Sequence, residues 1–468
     1  MKPSSPFRAW WLQEALRKDD APPCKPLSGK KEADICIVGG GYTGLWSAIL
    51  IAQSNPTLDI VLLEKDVCGH GASGSNGGCM LTLATKFTSL IEFYGESEAK
   101  RLVRASEGAV HEIHDFARDH GIDCDMRIDG ALYFASNQAQ VGRMEAVVGS
   151  LERASLNTWS ELPLDQARRM AGTRGLFEGL HSPDGGSVQP ALLVRGLARV
   201  ARSLGVTIHE HSPMERLERG ERPRVVSSSG SVRSKKVILA INAWLPEHFG
   251  EFARSIAVVS SDMGITEPCL ELLEANGLSH GASVCDSRIF VHYYHTTSDG
   301  RLLFGKGGNT FSYGSKMIPS FFEPSQYEWQ VRQGIDRFFP KLEGVRLEQC
   351  WNGGSDRSKT GFPFFGHIKN CPNVLYGLGY SGNGVVQAYL GGKILRSLAL
   401  DIDDEWSRCG FVGGPRGLFP PEPVRWIGAH VVRDGIRRME AAEDAGRAPR
   451  CLDRYLATLA KGAGKSDK

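Results

Sequence analysis

Gly39-Gly40-Gly41-Tyr42-Thr43-Gly44 matches GxGxxG, a spacing that brings backbone N–H groups against a phosphate. Gly39 permits the tight turn, Gly41 lets the main chain approach a pyrophosphate, and Gly44 allows a following helix to pack closely on its strand. Tyr42 and Thr43 lie at the start of that helix, whose free N–H groups face the phosphates. Glu64 stands 20 residues after Gly44, where an acidic side chain accepts hydrogen bonds from a ribose, and Lys65 follows it. A carboxylate there favours free ribose hydroxyls over a 2′-phosphate.

A second cluster, Gly71-Ala72-Ser73-Gly74-Ser75-Asn76-Gly77-Gly78, follows directly. A nicotinamide-binding chain would run into a helix here. This chain instead offers a loop whose backbone can lie against a flat ligand, which points to FAD, and Ser73 can bond the pyrophosphate. A third cluster, Gly379-Tyr380-Ser381-Gly382-Asn383-Gly384, precedes Val385 and an apolar helix. Of the 55 glycines, 19 lie in residues 39–78 and 353–392, so the glycine excess has the character of a cofactor footprint.

The elements that must hold these clusters are readable. ADICIVGG is a buried strand, GYTGLWSAILIAQSN a helix and LDIVLLEKD a second strand, which together make a βαβ unit. ALLVRGLARVARSLGV is an amphipathic helix, TIHEHS and KKVILAINAW are strands, and RIFVHYYHTTSDGRLLFGKGGNTFSYG reads as strand, turn, strand. The expected fold class is α/β: a Rossmann-like FAD-binding domain with a second, sheet-containing domain inserted into it. The expected boundaries are an arm at 1–31, a discontinuous FAD-binding domain at 32–90, 165–245 and 346–400, a substrate-binding domain at 91–164 and 246–345, and a C-terminal extension at 401–468. In the arm, Trp10 and Trp11 are expected to dock on a neighbouring surface.

With 468 residues, 41% hydrophobic and 23% charged, the chain is globular and large enough for two or three domains. A net charge of +2 gives no general attraction to nucleic acid or membranes. Eleven cysteines, an odd number without a CxxC, suggest neither a disulfide framework nor a zinc ribbon. With no signal-peptide core in MKPSSPFRAWWLQEALRK, the expected location is the cytoplasm. His111 with His114, and His209 with His211, gather no third ligand, so no metal is expected.

VGGGYTG, VLLEKD and GASGSNGG, with QPALLVRGLARVARSLGV and LYGLGYSGNGVVQAYLGGKIL, resemble the FAD-dependent D-amino acid, glycine and sarcosine oxidase (DAO) family, over most of the chain to about Leu400. Within it, GGGYTGLW, GASGSNGGCML, Thr85-Lys86-Phe87 and the WWLQEAL arm are similar to FAD oxidoreductases associated with 2-aminoethylphosphonate use. The resemblance implies that this FAD-binding domain is interleaved with an α+β substrate domain on a largely antiparallel sheet, with the isoalloxazine at their interface, and FAD is expected to be held without a covalent link. Gly379, Ser381 and the N–H groups of Gly382, Asn383, Gly384 and Val385 would lie at the pyrimidine edge. It also implies hydride transfer from the amine-bearing carbon to flavin N5, hydrolysis of the imine, and reoxidation by O2 with release of H2O2. Cys350 lies near the position where sarcosine oxidases attach flavin, at a different spacing, and is read as a buried thiol.

The family's substrate-carboxylate arginines would fall at Ser355 and Gly382, and both are missing. The expected substrate is therefore an amine whose acid group lies further away: 2-aminoethylphosphonate or its N-methyl form, giving phosphonoacetaldehyde. The alternatives are a polyamine derivative of the γ-glutamylputrescine kind or another ω-amino acid, and, in another class, a non-catalytic flavin-binding redox sensor. Candidate groups for the substrate's acid are Arg288, Arg357, Lys359 and Lys86, with Ser355 in the same segment as Arg357. Alternation along a strand from Arg288 puts Arg288, Phe290, His292 and Tyr294 on one face, taken as the pocket face. There His292 would aid amine deprotonation and Tyr294 would pack on the substrate. Lys306 would help oxygen accept electrons, as a lysine does in sarcosine oxidases. Competing roles are a domain-interface salt bridge for Arg288, a surface turn for Lys306 and ordinary sheet positions for His292 and Tyr294.

Overall fold

The computed structural model describes residues 7–156 and 158–464. Its first sheet grows from the apolar strand Gly29–Val38, whose last four residues are all buried. That strand pairs in parallel with Ile60–Leu63 on one side and Gly230–Leu239 on the other. Thr207–His209 extends the sheet beyond Ile60–Leu63, and Cys371–Leu378 extends it beyond Gly230–Leu239, both in parallel. Phe364–Ile368 closes that edge antiparallel.

Helices Tyr42–Ser54, Pro190–Ser203 and Gln387–Ala399 cover one face, where Ile35, Ile37, Trp46, Leu193 and Leu390 join one buried core. Cys36, Val38, Val61 and Leu63 point to the other face and pack with Phe249, Phe252 and Tyr376. This period-2 division of a parallel strand between two apolar layers is why its sequence is hydrophobic at nearly every position.

The second sheet has the spatial order Leu347–Ser358, Ile256–Thr266, Leu302–Phe311, His292–Thr296, Ser283–Asp286, Ala131–Ala135, Glu178–Ser182 and Ser160–Glu161. All neighbours are antiparallel except Ser283–Asp286 with Ala131–Ala135. The mixed α/β class and the largely antiparallel second sheet are those expected from the sequence. The chain, however, crosses between sheets at other points. Leu347–Ser358 and Glu178–Ser182, expected in the cofactor unit, are strands of the second sheet. Helix Glu96–Asp119, expected in the substrate unit, buries Leu102, Val110 and Ile113 in the core beneath the first sheet. Strand Gly29–Val38 also begins within the expected arm. Local pattern marks strands but carries no information about which distant partner each one finds.

The arm docks as the two tryptophans suggest. Trp11 is wholly buried edge-on to Trp351, and Gln189 Nε2 donates to the Trp11 carbonyl. Among the described residues no helix is long and apolar enough to cross a membrane.

The tightest contact in the first βαβ unit is at Gly44, where a Cβ would stand 2.0 Å from the Gly39 carbonyl oxygen. Gly44→Ala must push the helix off its strand, and a destabilisation above about 2 kcal/mol is expected. Gly250, with open space around it, is the control, and Gly250→Ala should stay within about 0.5 kcal/mol. Urea unfolding midpoints measure both; equal midpoints for the two variants would contradict the packing account.

Candidate active site

One cavity of about 920 Å³ runs between the sheets and is bounded by all three glycine clusters. At one end, the N-terminus of helix Tyr42–Ser54 opens towards it beside Gly39 and Gly41. Gly39 has φ +111°, and a Cβ on it would lie 2.4 Å from the Ala240 carbonyl oxygen, so the turn requires glycine. The Tyr42 N–H donates to Ser73 Oγ at 2.9 Å, which fastens the second glycine loop to the helix N-terminus and leaves the Ser73 hydroxyl proton for a phosphate oxygen. Ala72, Gly71, Asn76 and Gly77 line the cavity beside it. Where the sequence predicts a loop the structure forms one helical turn, Ala72–Ser75, and Asn76 ends it, donating to the Ala72 and Ser73 carbonyls and accepting from the Gly78 N–H.

Glu64 ends strand Ile60–Leu63 at the cavity wall, its carboxylate accepting from the N–H groups of Gly40 at 2.8 Å and Asp66 at 2.9 Å. Burial pushes its pKa up, against those two bonds. Both oxygens keep a lone pair for ribose hydroxyls. Lys65 Nζ lies 4.1 Å from the centre of the Trp244 ring, and burial lowers its pKa.

Ser381, Gly382, Asn383, Gly384 and Val385 also line the cavity, before helix Gln387–Ala399. Thr43 Oγ1 and Tyr380 Oη, 2.7 Å apart, join the first and third clusters. Gly44, Gly78 and Gly379 stand behind the lining: Gly44 packs on Gly39, a Cβ on Gly78 would meet the Val188 carbonyl, and the Gly379 N–H donates to the Asp356 carboxylate.

FAD fits this arrangement. Glycine edges flank a helix N-terminus, a carboxylate ends the second strand, and Asn242 Oδ1 and Ser355 Oγ are buried on the cavity wall without a hydrogen-bond partner among the described residues. Asn242 and Trp244 were not among the residues expected at the site, and Tyr380 stood only as part of its glycine cluster. The signal for the first two was their position just past the carboxyl end of parallel strand Gly230–Leu239, where α/β sheets bind ligands.

Of the substrate candidates, Ser355, Arg357, Lys359 and Lys86 line the cavity. Lys86 Nζ donates to the Gly361 carbonyl at 2.8 Å. The Arg357 main chain pairs with Ala257 and Tyr380, but its guanidinium has no hydrogen bond or ion pair among the described residues, and burial pulls its pKa down to about 10.

The other four candidates do not reach the cavity, which corrects the choice of face. The strand begins at His292, not Arg288, and its charged side turns away from the cavity. Arg288 is 2% exposed and pairs with Asp286 and with Asp444 of helix Val424–Asp444, so the salt-bridge role holds. His292 bonds Asp286 at 2.8 Å, and burial beside Lys306 pushes it down to about 4. Tyr294 is fully buried in the aromatic layer with Phe304 and Phe339, its hydroxyl donating to the Ala171 carbonyl at 2.6 Å. Lys306 Nζ donates to the Phe290 carbonyl and lies 3.7 Å from Glu440. The opposite set faces the cavity: Ile289, Val291 and Tyr293, joined by Phe290. A ligand wall is mostly apolar, whereas charges buried off it need partners, and here they find them in helix Val424–Asp444. Cys350 is buried in the core on the sheet's far side.

Comparison with known proteins agrees with this geometry. Residues 34–398 match the family model described as FAD dependent oxidoreductase (DAO). The chain is 30% identical over 378 residues to γ-glutamylputrescine oxidoreductase of Escherichia coli K12, covering 80% of this chain and 85% of that one. It is 22% identical over 392 residues to glycine oxidase of Bacillus licheniformis, covering 81% and 96%. The crystal structure of glycine oxidase from Geobacillus kaustophilus superposes with a TM-score of 0.68 at 18% identity, covering 83% of this chain and all of that one, a likeness of fold. With its glycine-lined cavity between two sheets and a family match over most of its length, the chain belongs to the DAO family of FAD-dependent oxidoreductases that act on amines and amino acids.

Proposed function

We propose that the protein oxidises a small amine whose anionic group lies remote from the reacting nitrogen, of the γ-glutamylputrescine kind, and passes the electrons to O2. The observation that carries this reading is Arg357, an unpaired guanidinium on the wall of the cavity. A half-buried cation with no side-chain partner among the described residues is poorly compensated, and an anionic substrate supplies the missing charge. Arg357 Nη2 lies 3.8 Å, and Ser355 Oγ 3.5 Å, from where a Cβ on Gly382 would stand. The two positions at which the family resemblance expects α-carboxylate arginines therefore face each other, and Arg357, two residues along the strand from Ser355, brings its guanidinium beside them. The lack of an arginine at either position supports an acid group well separated from the amine. The 30%-identical relative's substrate has this form. The aminoethylphosphonate reading remains as a second one, favoured by Lys359, which lines the same cavity and adds a second cation suited to a phosphonate dianion.

Bound FAD supplies the two-electron oxidation of the amine-bearing carbon. The chain's own groups bind and orient. Ile289, Phe290 and Val291 form an apolar wall that disfavours the ammonium form, so the amine is held neutral and ready to lose hydride. Tyr293 Oη and Ser261 Oγ, 2.7 Å apart, place a polar edge beside that wall. Asp356 fixes the third glycine loop, its carboxylate accepting from the Gly379 N–H and its carbonyl from the Ser381 N–H at 3.1 Å.

Arg357→Ala should raise KM for γ-glutamylputrescine about 10- to 100-fold, matching the loss of a charge-assisted contact, and change KM for uncharged alkylamines far less. Equal effects on both classes would remove Arg357 from substrate binding. Burial raises the Asp356 pKa to about 7, well above the unfolded value of about 3.9. The folded state thus holds this proton more tightly, and its contribution to stability is present below about pH 4 and is lost as the pH rises to about 7. Asp356→Asn should gain stability relative to the parent across that interval in chemical denaturation. Parallel stability curves for the two proteins would contradict this.

A further inference from the structure

The residues past the family match, which ends at 398, are not a detached tail. Helix Val424–Asp444 borders the same cavity that holds Arg357 and Lys359, with Val424, Gly428, Ala429, Val432 and Ile436 on the lining beside Arg425 and Arg433. The spacing of the first five, 4, 1, 3 and 4 residues, places them along one helix face.

Gly428 is the unusual member of this face. Helix interiors disfavour glycine, and it persists there when a close neighbour or a left-handed backbone requires it. Gly435, the helix's other glycine, has such a neighbour: its Cβ would stand 2.7 Å from Leu456. Gly428 has neither. Its backbone is not left-handed, and an added Cβ would meet nothing within 4 Å. What the glycine leaves is room in the cavity.

The wall is fixed rather than loosely apposed. Glu440 Oε1 of the helix accepts from the Phe290 N–H at 3.1 Å, and Lys306 of strand Leu302–Phe311, its Nζ 3.7 Å from Glu440, donates to the Phe290 carbonyl, so the helix and its ion-pair partner together hold both polar groups of one wall residue. Arg433 and Arg437 donate to the carbonyl and side chain of Asn309 at 3.0 and 2.6 Å, and Asp444 pairs with Arg288. Beyond the helix, a Cβ on Gly462 would lie 3.3 Å from Lys359 Nζ, so the last turn packs over the second cation.

We propose that helix Val424–Asp444 is the wall that sets the length of substrate accepted, and that Gly428 is its specificity-determining residue, leaving space for the end of the substrate farthest from the reacting carbon. The substrate class is a primary or secondary amine with an extended chain. The inference rests on the amine-oxidising reading above but not on where the anion binds.

The test uses the FAD-loaded enzyme and its Gly428→Ala and Gly428→Leu variants, with n-alkylamines of increasing length and with γ-glutamylputrescine. Leucine should cut the ratio of kcat/KM for long over short alkylamines by at least about tenfold, mainly through KM, with alanine intermediate. Flavin content and thermal midpoint report that the variants fold. A ratio that stays constant in a folded, flavin-loaded Gly428→Leu enzyme overturns the proposal. The alkylamine series is uncharged at its far end, so it reads the wall alone. Failure of the anion-binding reading would appear instead as no preference for γ-glutamylputrescine in the parent enzyme, with the Gly428→Leu effect on alkylamines intact.

Discussion

Helix Tyr42–Ser54 reaches its strand only because Gly44 presents no side chain to the Gly39 carbonyl. That close approach sets the direction of the helix N-terminus, and much of the cofactor end depends on that direction. The Tyr42 N–H meets Ser73 there, which brings in the second glycine loop, and the Gly40 N–H meets Glu64, which fixes the acid at the end of the second strand. The contact between Thr43 and Tyr380 then ties the third loop, more than three hundred residues away, to the same helix end. A few N–H groups and hydroxyls around one turn thus join segments distant in sequence into a single cradle for a dinucleotide.

The second organising feature is a division of labour across the strand His292–Thr296. Its cavity side carries Tyr293 among apolar neighbours, as a site needs when it excludes water and favours a neutral amine. Its other side begins a buried network in which Asp286, Arg288, His292 and Lys306 meet Glu440 and Asp444. Such a network costs desolvation and is satisfied only when each charge has partners. Here the partners come from the C-terminal helix, so the same ions that brace the apolar wall hold the helix against the cavity.

The features legible in the sequence were those whose geometry is local. The first glycine motif, Glu64 and the small-residue loop each sit within a few residues of the strand or helix that positions them, and the cavity gathers them as their spacing implied. Arg357, Lys359 and Lys86 were found by residue type. The face of the strand after Arg288 was not legible, for two physical reasons. Alternation was started four residues before the strand begins, and two of the acids that claim Arg288 and Lys306, Asp444 and Glu440, lie 156 and 134 residues later. The sheet membership of Leu347–Ser358 and the place of Val424–Asp444 on the cavity wall were hidden for the same reason, since both depend on long-range pairing.

The account joins an FAD cradle to a pocket that holds an amine by a remote acid group at Arg357. Its most direct test is the anaerobic addition of γ-glutamylputrescine, and separately of glycine, to the FAD-loaded protein while following the absorption of oxidised flavin. Rapid bleaching by γ-glutamylputrescine with little response to glycine is the predicted result. Bleaching by glycine alone, or by no amine at all, would contradict it.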